Sequence, residues 1–234
     1  MVQLEAMDHV IFFIVVVVSL AIDWIVYPRL LRATPDQADR RREQFYITTI
    51  VAAWAITAAI IALWLRTDRP LTTLGLGIGS PIRLVISLAV VLGLVALLRK
   101  QNRMLLARPE RLRAVRGKFG RTAAIIPRTQ GQRRIFVGVS LTAGICEELI
   151  FRGFVVWYLA YWAGPVAAFV GSVLLFGMAH AYLGASHVPR TALVGLVFGL
   201  IVLGAGSLWP AMVLHAAIDL NSGSLGYHAF RQEE

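Results

Sequence analysis

Charge and cysteine are both scarce in this chain. Only 15% of its 234 residues are Asp, Glu, Lys or Arg, where an ordinary soluble domain carries about 25%. The 58% apolar content excludes a disordered or collagenous chain. The single cysteine, Cys146, cannot close an internal disulfide, which excludes a disulfide scaffold and leaves the redox compartment open. Acids are the scarcer charge, 13 against 23 bases, for a net charge of +10. So little total charge argues against nucleic acid as a partner. The most basic segment, 99–134, interleaves only one aromatic, Phe119, among its cations.

What is abundant is apolar sequence in long runs. A helix needs about 20 apolar residues to cross the hydrocarbon core of a bilayer. Such runs lie at Val10–Leu31, Tyr46–Leu65, Ile82–Leu98, Ile135–Trp162, Pro165–Leu183, Thr191–Gly206 and Leu208–Leu220. The fold expected is therefore an all-α polytopic transmembrane helix bundle of about seven spans, with the lipid bilayer as its partner. The last two runs are short and separated only by Ser207, so a tight turn or one broken helix joins them. The first run is preceded by Glu5 and Asp8 rather than a basic stretch and reads as a retained span, not a cleaved signal.

Basic residues favour cytoplasmic loops. With seven spans, 19 Lys and Arg fall on the side that holds loop 99–134, and three (Arg66, Arg69, Arg83) on the other. This places the N-terminus outside and the C-terminus in the cytoplasm. Arg111, Arg113 and Arg116 suit a short helix lying along anionic headgroups. Gly195 and Gly199 form a small ridge for helix packing, and the six tryptophans read mostly as anchors near span ends.

Ionisable side chains at bilayer depth are costly and mark function by default. Seven such groups stand out: Asp23, Glu147, Glu148, Arg152, His180, His215 and Asp219. Asp23 reads as a packing or interfacial residue. Glu148 and Arg152, four apart with the acid first, make a favourable intrahelical pair. Glu147 projects about 100° away on a regular helix and has no local partner. It is the candidate general base, and Glu148 the candidate brace. Phe176 lies one turn before His180, and His215 one turn before Asp219. An unpaired glutamate and two histidines on three helices suit water activation and oxyanion stabilisation.

Those residues resemble the three motifs of the CPBP (Abi) intramembrane proteases, whose members include type II CAAX prenyl endopeptidases. The motifs are Glu-Glu-x-x-x-Arg at 147–152, Phe-x-x-x-His at 176–180 and His-x-x-x-Asp at 215–219, in the family's order and each on its own apolar run. The resemblance implies an endopeptidase acting on a membrane-associated peptide or protein. Glu147, with His180, would activate water. Glu148 and Arg152 would brace the site beside Phe176, and His215 and Asp219 would line the oxyanion side. CAAX endopeptidases resemble Asn at the last place. An ionised aspartate cannot donate a hydrogen bond, so Asp219 is either protonated there or an acceptor that orients His215. The chain divides into a three-span region at 1–134 with its basic loop 99–134, a catalytic core at 135–222 and a tail at 223–234.

Other readings bear on the same residues. His-Glu-x-x-His is absent, and no metal or other cofactor is expected, although Glu147, His180 and His215 could supply three ligands. Cys146 adjoins Glu147, but apolar burial makes a thiol inert. From other classes, the polar set could form the rigid core of a non-catalytic adaptor for a membrane partner such as a sensor kinase, or relay protons in a carrier. A carrier calls for inverted repeats, and none is evident.

Overall fold

The computed structural model describes residues 4–231, without the side chains of 19–23. Among the described residues it is helical with short connections and no strands. Its helices are α1 (Ala6–Leu31), α2 (Pro35–Arg66), α3 (Pro81–Leu106), α4 (Pro109–Lys118), α5 (Gln130–Thr142), α6 (Val156–Ala179), α7 (His187–Ala205) and α8 (Trp209–Arg231). Two π-helical stretches, Ala143–Glu147 and Leu149–Val155, join α5 to α6.

Local chemistry sets the boundaries. α2, α3 and α4 each begin with a proline, whose missing N–H is no loss in a first turn. Thr129 caps α5 by accepting from the Gln132 N–H at 3.1 Å. Gly164 takes φ +77° and precedes Pro165, breaking α6 into two segments at the boundary expected between the fourth and fifth apolar runs. The choice between a tight turn and a broken helix after α7 resolves as a turn. Gly206 adopts φ +67° and its N–H reaches the Val202 carbonyl at 2.8 Å. The short basic helix expected around Arg111 is α4. α8 continues through Arg231, so most of the segment read as a tail is helical.

Among the described residues, four helical stretches are long and apolar enough to cross a membrane: Pro35–Arg66, Pro81–Leu106, Gln130–Ala179 (broken at Gly164) and His187–Ala205. Their outward faces are apolar; Ile82 is 72% exposed and Val166 77%. That pattern is natural where lipid replaces water.

Side-chain contacts define two ends of the bundle. At one, Arg66 meets Glu5 at 3.0 Å, Arg69 clasps Asp8, and Arg83 donates to the Gly204 carbonyl at 2.7 Å. Trp64, expected among the interfacial anchors, is fully buried there: its Nε1–H donates to Thr73 at 2.8 Å and its ring carries Arg69. The other end gathers the loop cations. Asn102 of α3 bonds Asn221 of α8, and segment 120–125 folds over α1 and α2.

Candidate active site

The three motifs converge inside the bundle, and unwinding of the first motif's helix is the local feature that positions them. Residues 143–147 and 149–155 are wound as π-helix, not the regular α-helix the spacing predicts. Two glycines accompany this and admit close backbone approach. A methyl on Gly144 would meet the Met212 carbonyl oxygen of α8 at 2.8 Å, and one on Gly153 would meet the Leu74 carbonyl oxygen at 2.8 Å. π-helical turns inside α-helices occur mostly at functional sites.

Glu147 and Glu148 leave this helix toward different surroundings. Glu148 is fully buried and paired with Arg152 at 3.2 Å. The same oxygen, Oε1, accepts from His215 Nδ1 at 2.8 Å, a link across 67 residues that the sequence reading did not include. Arg152 donates its second nitrogen to the Gly195 carbonyl at 2.8 Å and lies over the Phe176 ring at 4.1 Å. Gly195 makes that fit possible, since a methyl there would sit 2.7 Å from the guanidinium and 2.8 Å from Phe176. Its role is therefore more specific than the helix-packing ridge expected of it. His215 stacks on Phe198 at 4.7 Å and presents its ring to the edge of Phe176 at 6.0 Å. The assembly bridges the π-helix, α6, α7 and α8.

Glu147 instead lines a cavity of about 370 Å³, which His180 and Asp219 also line. Its Oε2 is buried with no hydrogen-bond partner among the described residues. His180 Nδ1–H donates to the Phe176 carbonyl at 2.9 Å. A carbonyl only accepts, so Nδ1 carries a proton, and in the neutral ring the lone pair is then on Nε2. Phe45, Ile56, Phe136 and Ile150 supply apolar wall, with Thr49, Tyr182 and Ser222 as polar breaks.

His215 does not line this cavity; it is 5% exposed and sits behind it. Its Nε2 is 3.8 Å from Asp219 Oδ2, too far for a hydrogen bond. Glu148, not Asp219, holds the His215 ring in this structure. Cys146 is fully buried. Among the described residues, no group of three His, Cys, Asp or Glu side chains is close enough to hold a metal ion. The side chain of Asp23 lies outside the described residues.

Segment 120–125, from the basic loop, covers one side of the cavity, to which Thr122 and Ile125 contribute. Its carbonyls are held by side chains: Arg121 by Tyr27, Ala124 by Arg42 Nε at 3.0 Å, Ile125 by Tyr46 at 2.7 Å and Ala123 by Arg128 at 3.0 Å. Arg128 also lies over the Phe230 ring at 3.6 Å. Burial, then the neighbouring Arg42 and Arg116, lowers its pKa to about 10, so it stays charged at neutral pH.

An all-helical bundle with membrane-length helices, a buried Glu–Arg–His cluster and a glutamate-lined cavity defines a class: a polytopic membrane protein with an internal polar site. Residues 130–221 match the family model described as Type II CAAX prenyl endopeptidase Rce1-like. That stretch contains all three motifs and is similar to that family over those residues, and the long apolar helices make the chain an integral membrane protein. No curated protein and no solved structure matches it.

Proposed function

We propose that this protein is an intramembrane endopeptidase that hydrolyses a peptide bond with water activated by Glu147. The observation that carries the reading is Glu147 itself: of the two adjacent glutamates it is the one that lines the cavity, and its Oε2 has no hydrogen-bond partner among the described residues. Glu147 accepts a proton from water as the water oxygen attacks the scissile carbonyl carbon. The proton then passes to the leaving amine as the C–N bond breaks. His180, with Nε2 unprotonated, orients the same water. Asp219 serves the developing oxyanion as the carboxylic acid, because an ionised carboxylate has no proton to donate. His215, held by Glu148, lies behind Asp219 and fixes that side of the site. The apolar walls suit a substrate segment that is itself membrane-associated.

The nineteen-to-three division of basic residues favours segment 120–125, and so one side of the cavity, being cytoplasmic. A reporter inserted at Asp68 is then external, and one fused after Glu234 cytoplasmic. A cytoplasmic Asp68 reporter would reverse this sidedness. The activity is tested by comparative peptidomics of membranes holding the native protein or Glu147→Gln. Peptides that depend on Glu147 support the reading; identical peptidomes at equal expression contradict it.

A further inference from the structure

α8 presents two stripes to two cavities. Asp219, Ser222 and Gly223 line the one already described. Ala217, Leu220, Asn221 and Ser224, spaced for a single helix face, line a second cavity of about 310 Å³ between α8 and α3.

The walls of this second cavity divide by chemistry. Val95 and Leu98 face Ala217 and Leu220 in an apolar half, while Arg99, Asn102 and Arg103 supply the polar half with Asn221 and Ser224. The division falls where the apolar run of α3 ends, since Leu98 is its last residue and the cation Arg99 follows it. Arg99 and Arg103 are one turn apart, exposed, and paired with no carboxylate among the described residues. Asn102 is 7% exposed; its Nδ2–H₂ group donates to Asn221 Oδ1 at 2.9 Å and to the Asn221 carbonyl at 3.2 Å. Its Oδ1 is buried and accepts from no donor among the described residues. Such a buried acceptor calls for a hydrogen-bond donor.

We propose that this cavity binds an anionic glycerophospholipid. Its phosphate sits between Arg99 and Arg103, a headgroup hydroxyl donates to Asn102 Oδ1, and an acyl chain runs along Val95, Leu98 and Leu220. A neutral lipid leaves the two cations uncompensated, and inorganic phosphate leaves the apolar half unfilled. The depth also fits, because the end of an apolar run is where a phosphate layer lies. A lipid bound here holds α3 to α8 from behind the stripe that carries Asp219.

The test is binding, read without turnover and so independent of the catalytic assignment. Full-length protein in detergent is titrated with phosphatidylglycerol, and bound lipid is counted by native mass spectrometry. Arg99→Gln and Arg103→Gln each weaken binding about fivefold and the double variant about thirtyfold, the worth of two cations near an anionic surface. Phosphatidylcholine binds the native protein no better than phosphatidylglycerol binds the double variant. Arg40→Gln with Arg41→Gln, an equal loss of exposed charge outside the cavity, leaves binding unchanged. The proposal is overturned if the Arg99/Arg103 double variant binds like the native protein, or if the Arg40/Arg41 pair loses as much. Full displacement of the lipid by millimolar inorganic phosphate also overturns it, in favour of a simple anion site.

Discussion

Among the described residues, two buried acid–arginine pairs are built differently. Asp8 and Arg69 form a closed pair: NH1 meets Oδ1 at 2.7 Å, NH2 meets Oδ2 at 2.8 Å, and the Glu5 N–H also donates to Oδ2 at 2.7 Å. The rings of Trp64 and Trp157 flank the guanidinium at 5.0 and 4.9 Å. Glu148 and Arg152 meet through one oxygen, which His215 shares, while Glu148 Oε2 has no partner among the described residues. A fully satisfied pair away from the motif cavity acts as a staple between α1 and the end of α2. An incompletely satisfied one, beside a cavity lined by Glu147, belongs to a site. Burial of charge alone separates nothing here; the state of each oxygen does.

The largest effect expected from breaking this comparison is at Arg152. Arg152→Met leaves Glu148 buried and uncompensated, at a cost of about 3–5 kcal/mol, seen as a fall in folded protein by thermal unfolding in detergent. Adding Glu148→Gln restores much of the folded protein. Turnover by that double variant stays about 10- to 100-fold down, because His215 has lost the carboxylate that positions it. If turnover recovers with folding, the Glu148–His215 link has no part in the reaction. Next comes the staple. Arg69→Met costs about 3 kcal/mol by the same logic, but turnover per folded molecule, measured on the same preparations, is unchanged. A loss of turnover matching that of Arg152→Met would erase the distinction between the two pairs. The smallest effect is at Cys146, fully buried beside Glu147. Cys146→Ser lowers stability by about 1 kcal/mol for the buried hydroxyl and leaves turnover intact; an inactive, folded variant would point to a thiol nucleophile.

The sequence carries the helices well, because each apolar run and its Pro or Gly punctuation acts locally. Gly164-Pro165 marks the break in α6, and Gly206 the turn into α8. The Glu148–Arg152 pair is legible for the same reason, being one turn apart. The π-helical winding of 143–155 was not, since it goes with Gly144 and Gly153 packing against distant backbone. The sharing of Glu148 with His215 is likewise a product of tertiary packing, and it goes with a His215 ring that sits behind the cavity. Asp8 was read only as an acid ahead of the first apolar run; its partner lies 61 residues on and no periodicity connects them. A signal for Gly195 was present, a small residue in an apolar helix, but only the neighbouring Arg152 gives it a specific use.

The central claim is that Glu147 performs the chemistry and Glu148 holds the site. It is tested most directly by the turnover of a quenched membrane-peptide substrate by detergent-purified Glu147→Gln, with unfolding temperature measured on the same sample. The expected result is native stability with turnover reduced about 10²–10⁴-fold, the usual cost of removing a general base. A folded Glu147→Gln protein that cuts at the native rate would contradict it.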